Sequence, residues 1–202
     1  MSWNPYRNNN GAERAPVYIT DPSGRLRGAF SDGDSAFYFP YTPTITFISA
    51  SGYSSYDMTH SNFQQKAFDM SQNTMTTITA PIPVENEEQA VSLLEGMQFF
   101  RGAMKMNFGP NDPDRGLPPP IMRFNAYGIY RNVPVVVQDF THNLDAEIDY
   151  ITIENGKYSG TRVPVINTFV MTLLTTYSPK NVRDNFTLDD YITGNLRDQG
   201  YV

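Results

Sequence analysis

Two histidines, His60 and His142, are the whole histidine supply of the 202-residue chain, and it has no cysteine. Disulfides, thiolate metal sites and cysteine nucleophiles are thereby excluded. Neither histidine stands in a metal-ligand spacing such as His-Glu-x-x-His. Carboxylates alternate once, in "DAEIDY", where Asp145, Glu147 and Asp149 share one side of a strand as a pair for acid–base work would. No nucleophile or base accompanies them, so a solvated strand face is the plainer reading. "GPNDPDRG" (109–116) has the composition of a calcium loop without its regular acidic spacing or closing glutamate, and reads as a proline-rich turn. "SASGYSSY" (49–56) is serine-rich but lacks the Gly-x-Ser-x-Gly elbow, and no glycine-rich phosphate loop occurs. No catalytic residue, metal or cofactor is expected, and the chain is expected not to be an enzyme.

A binding or building protein remains. The net charge is −6 and the isoelectric point near 4.8. Fifteen basic residues are scattered rather than clustered, which argues against tight binding of nucleic-acid phosphates. The length suits one domain with extensions. "MSWNPYRNNNGAERAP" at the start lacks the basic start and apolar run of a secretory signal. No window reaches the roughly 20 apolar residues of a membrane span, so no membrane anchor is expected and the chain reads as soluble and not exported.

The elements that would position any site are mostly strands. Residues 1–40 are polar and turn-rich, and are expected to form an extended N-terminal arm. Phe37, Tyr38, Phe39 and Tyr41 are dense for a linker and predict packing against something. A β domain is expected over 41–178. In it, "TITFIS" (44–49) and "TMTTITAPI" (74–82) read as strands, and "ITIENGKY" (151–158) as a hairpin turning at Asn155-Gly156. The run 163–177 sorts by parity, with odd positions mostly large and apolar and even positions alternating Thr with aliphatics. One helix is predicted over about 87–105, with Asn86 as N-cap, Gln89 three residues on, and Ala90, Leu93, Leu94, Met97, Phe100 and Met104 in one stripe. Gly109-Pro110 is expected to end it. Residues 179–202 predict a tail with short helical turns.

The strongest local signal is "IMRFNAYGIYRNVPVVVQDF" (121–140), a hairpin with Met122, Phe124 and Ala126 on one parity and a turn at Arg131-Asn132. Pro134 belongs at a strand's beginning or on an edge. The three valines that follow imply cover on both faces. Tyr127, Tyr130, Val133 and Pro134 are the candidate residues for hairpin packing or inter-subunit contact.

Four segments carry a resemblance, in order, over about residues 41–190. They are "YDMTHSNFQQKAFDMSQN" (56–73), "TTITAPIPVENEEQA" (76–90), "GLPPPIMRFNAYGIYRNVPVVVQDFTHNLDAEIDYI" (116–151) and "RVPVINTFVMTLLTTYSPKNVRDNF" (162–186). Together they resemble the tail tube initiator family, baseplate proteins of contractile-tailed bacteriophages. The resemblance implies a mainly β fold with one packed α-helix, a tail-tube-like antiparallel β-sandwich or barrel of two sheets, assembling into a hexameric ring. It implies a virion protein of the tail baseplate, assembled in the host bacterial cytoplasm, that joins the central hub to the tail tube and templates tube polymerisation. DNA would pass through its channel during genome ejection without specific binding. The implied partners are the homohexamer, the tail tube protein, the baseplate hub protein, sheath initiator or inner wedge proteins, and the tape measure protein in the lumen. The alternatives are the major tail tube protein or the tube–baseplate junction ring, and, in another class, a β-sandwich glycan-binding module using the tyrosines.

Overall fold

The computed structural model describes residues 16–112, 114–144 and 148–202. Six strands come first: β1 (Val17–Thr20), β2 (Ala36–Tyr38), β3 (Thr44–Ile48), β4 (Ser51–Tyr56), β5 (Gln65–Ser71) and β6 (Met75–Pro81). Helix α1 (Glu87–Ala103) follows. Then come β7 (Met122–Ala126), β8 (Tyr130–Leu144), β9 (Tyr150–Thr152), β10 (Arg162–Pro164) and β11 (Asn167–Thr175). Short helices α2 (Pro179–Asn185) and α3 (Leu188–Thr193) lead to a final turn, Arg197–Gln199. The fold is mainly β with a few helices.

Seven strands form one antiparallel sheet in the order β2-β1-β7-β8-β11-β6-β3. The sheet curls until its two halves touch. Phe47 on end strand β3 stacks on Tyr130 of β8 at 3.7 Å and lies 6.2 Å from Phe124 of β7. A single rolled sheet therefore stands where two were expected, because twist accumulated over seven strands brings the far edge round. β9 and β10 form a separate pair, as do β4 and β5.

The parity signals hold. Phe169, Met171 and Leu173 on β11, and Met122 and Phe124 on β7, are fully buried. Helix α1 lies over this interior through Phe99 and Phe100. Asn86 Oδ1 accepts from the Gln89 N–H at 2.9 Å, and Gln89 Oε1 accepts from the Glu85 N–H at 2.7 Å, so the cap reaches one residue further back than a standard box. Gly96 on α1 sits where a Cβ would overlap the Phe37 ring, which brings the helix close onto β2.

Several expectations are corrected. Residues 16–40 are not an extended arm: β1 pairs with β7 and buries Val17 and Ile19 completely, and Phe37 and Phe39 enter the core. Residues 1–15 lie outside the described residues. Helix α1 ends at Ala103, well before Gly109-Pro110, because the Asn107 backbone is engaged by Leu117 and Gly116 at 3.1 and 2.7 Å. The Asn155-Gly156 turn is not a tight hairpin, since β9 and β10 are joined through 153–161 and only Gly156 of that pair has positive φ. The run 163–177 divides into β10 and β11 instead of forming one strand. The hairpin of β7 and β8 turns at Tyr127 and Gly128 (φ 50° and 67°), with the Ile129 N–H donating to Ala126 O at 3.0 Å. Asn132 does adopt positive φ (55°), but in a bulge within β8.

Candidate functional site

The residues that offered chemistry stand apart. His60 is exposed in the loop between β4 and β5, whereas His142 on β8 shares a 3.0 Å hydrogen bond with Asn167 and packs edge-on against Phe169. Asp145 and Glu147 lie outside the described residues, and Asp149 is exposed. Among the described residues no group of three His, Asp or Glu side chains could hold a metal ion, and no helix is long and apolar enough to cross a membrane. Arg25 ties together the two flanks of the 109–116 stretch, donating to Asn107 Oδ1 at 2.5 Å and to Pro118 O at 2.7 Å.

The four hairpin residues have different surroundings. Val133 is buried opposite Phe124, and Tyr130 carries the stack with Phe47. Pro134 is buried inside β8, not at its beginning or on an edge. Its carbonyl accepts from Thr176 N at 2.9 Å, and N and O of one strand residue point the same way, so the missing N–H removes only the reciprocal bond to Thr176, just past the last β11 pairing. Tyr127 is half exposed, and its N–H donates to Pro16 O at 2.7 Å.

Three surfaces emerge that are not accounted for by packing within the chain. The first is the ribbon of β4 and β5. It prolongs the β3–β6 pair beyond the sheet, with the Gln72 N–H to Ala50 O bond (2.9 Å) bridging the break. Tyr53 and Phe68 meet edge-on on one face, Tyr56 lies on the other, and all three are exposed, as are Met58, Phe63 and Met70. A lone two-stranded ribbon is marginal in water, and exposed apolar residues at this density mark a surface meant to be covered.

The second is the outer face of the sheet. Register places Thr44 and Thr46 beside Thr79 and Thr77, these beside Val170 and Thr172, and these in turn beside Thr141 and Asp139. Asp139 is the one charged residue of this patch, and β3, β6 and β11 contain no basic residue.

The third is a cleft of about 920 Å³ between the ribbon's base (49–51 and 71–74) and the C-terminal helices. Tyr201 forms its floor, stacked on Tyr177 at 4.9 Å and near Phe186 at 5.5 Å. The Tyr177 hydroxyl donates to Gly200 O (3.1 Å) and accepts from Val202 N (3.3 Å), clasping the chain end to β11's exit. The stack covers one face of the Tyr177 ring and one face of the Tyr201 ring. Burial raises the Tyr177 phenol above its ordinary value of 10.0, with Tyr191 and Tyr201 adding to this and the Val202 bond opposing it. A raised phenol favours the folded state fully below pH 10 and loses that contribution as pH rises through its folded value. The C-terminal segment is therefore expected to loosen in alkali above pH 10, seen as faster proteolysis after residue 194 in step with Tyr177 phenolate absorbance. Phenolate formation at the ordinary tyrosine value with no change in proteolysis would contradict the clasp.

Sequence reasoning missed the ribbon and the cleft. The signal for the ribbon was Tyr53, Tyr56, Phe63 and Phe68 among few charges, with no facing apolar strand to cover them. No signal links Tyr177 to Tyr201.

No family model matches the chain, and no curated protein matches it. Among solved structures it is similar to a chain from the tail of an empty GTA particle, computed with helical refinement under C6 symmetry. That likeness covers 83% of this chain and 96% of the other, at 9% identity and a TM-score of 0.36, and at that level it carries no argument about fold or function.

Proposed function

We propose that this chain is a non-catalytic structural protein of a contractile phage tail, the baseplate ring that joins the hub to the tail tube and starts tube polymerisation. The observation that carries the reading is the ribbon of β4 and β5, which exposes Tyr53, Tyr56, Phe63, Phe68 and Met70 and so calls for burial in an assembly. The edge strand β3 supports it: no further strand pairs with its outer side among the described residues, and an edge left open in a monomer is protected by pairing in a ring. The ordered resemblance of four segments to tail tube initiators supports the particular place in the tail. The threonine-rich, almost uncharged patch of β3, β6, β11 and the adjoining part of β8 suits a channel wall, since β3, β6 and β11 carry no Lys or Arg to bind DNA phosphates by charge.

The test is to image purified tails at side-chain resolution, trace this chain and count its copies. Six copies in one ring beneath the tube are expected, with the threonine face toward the lumen. Many stacked rings would make it the tube protein, and absence from the tail would end the reading.

A further inference from the structure

The ribbon ends in a loop, 57–64, that carries Met58 and Phe63, and Phe63 is 82% exposed. The loop is held in shape. Gln64 donates to Asp57 Oδ1 at 2.6 Å, and the Ser61 hydroxyl donates to Phe63 O at 2.8 Å while the Phe63 N–H points back to it at 3.3 Å. A prearranged projection loses less entropy on binding than a floppy one. At the ribbon's other end lies the cleft, whose wall includes Val182, Leu188 and Tyr191, all exposed.

Charge agrees with shape. Among the described residues Arg183 is the one charged side chain lining the cleft, held in an exposed 2.9 Å ion pair with Asp184 that is weak enough to exchange partners, and Asp57 is the one carboxylate of the tip loop, which has no Lys or Arg. The tip cannot reach the cleft of its own chain. The ladder from Ser51↔Ser71 to Tyr56↔Gln65 holds them apart by roughly 17–20 Å at about 3.3 Å per residue. A projection and a matching recess at opposite ends of one element can meet only between copies, and such head-to-tail contacts close into rings when the rotation allows.

We propose that the β4–β5 tip of one copy, led by Phe63, seats in the cleft of a second copy against Val182, Leu188 and Tyr191, with Asp57 facing Arg183. This rests on the ring reading and names the contact that joins neighbours. An aromatic anchor in a desolvated recess is the kind of residue that dominates an interface.

The absence of native cysteine makes the test clean. Full-length Phe63→Cys and Leu188→Cys variants, each alone and then mixed, are oxidised at concentrations where sedimentation shows the unmodified chain self-associating. The mixture is expected to give a disulfide-linked pair that neither variant gives alone, and a chain carrying both cysteines is expected to give a ladder. Phe63→Asp is expected to weaken self-association roughly 30-fold with an unchanged melting temperature. Leu188→Asp, on the other partner surface, should do the same. Mixing these two aspartate variants should restore dimers and nothing larger, because one intact tip and one intact cleft remain. Phe63→Cys linking to itself as fast as in the mixture would overturn the contact, as would an associated chain that does not cross-link or a chain monomeric at every concentration. The copy count in the tail judges the ring reading separately, so a ring seen there without these cross-links removes the contact and leaves the ring.

Discussion

Phe100→Ala is expected to destabilise the chain by about 3–5 kcal/mol, lowering the urea midpoint with little change in slope and the melting temperature by on the order of 10 °C. Phe100 is fully buried on α1 and touches an aromatic from every layer it joins. Phe37 of β2 lies at 4.9 Å, Phe99 and Phe140 at 5.4 Å, Phe169 at 6.4 Å and Phe39 at 6.5 Å. Truncation leaves a cavity that none of these rings can fill without leaving another, since Phe37 is itself packed against Phe39 and Phe169. A loss of this size is a large share of the roughly 5–15 kcal/mol a domain has in hand. Phe63→Ala is the matched control, because the same residue type at an exposed tip should stay within about 0.5 kcal/mol. If Phe100→Ala cost no more than Phe63→Ala, the helix would not be anchored to the sheet through this ring.

That contrast also shows where the sequence was legible. Parity told the inner face of β11 from its outer face, because a strand alternates sides and Phe169, Met171 and Leu173 are large while Thr168 and Thr172 are not. The α1 stripe was equally plain, although Phe99 and the buried Glu95 lie outside it; the Glu95 carboxylate is held by the Ser31 N–H and hydroxyl from the segment before β2. Local signals misplaced the β7–β8 turn. Asn132 has the left-handed tolerance a turn needs, and the fold uses it for a bulge, leaving the turn to Tyr127 and Gly128. Residues 16–40 were read as an arm because their apolar runs are short; their burial comes from β7, about a hundred residues on, which no local pattern reports. Nothing about Phe63 or Tyr53 says whether a neighbour covers them. The assembly surfaces were accordingly the least legible part.

Gly200→Ala is expected to release the C-terminal segment from the sheet. Gly200 has φ of 86°, and a Cβ there would overlap the carbonyl of Asn132 and stand 3.0 Å from Pro134 Cδ. The left-handed conformation alone costs a residue other than glycine about 1–2 kcal/mol. The overlap adds to this, because a backbone carbonyl inside a strand cannot rotate away as a side chain would. The cheaper escape is for the segment to lift, breaking the Tyr177 bonds to Gly200 and Val202, the Tyr177–Tyr201 stack and the 2.8 Å bond from Arg197 to Gly128 O. The Arg131–Asp198 ion pair is exposed and adds little to the resistance. Gly194→Ala separates the two causes. Gly194 also has positive φ (79°) but nothing near its would-be Cβ, so alanine there meets only the conformational cost. Limited proteolysis should cut the Gly200→Ala chain after residue 194 at least tenfold faster than the Gly194→Ala chain, while the global melting temperature shifts by only a few degrees. Release also removes Tyr201 from the floor of the cleft, so self-association should weaken in Gly200→Ala and persist in Gly194→Ala. Equal behaviour of the two variants would mean that the Asn132 overlap is relieved without release, and that the cleft floor does not depend on the clasp.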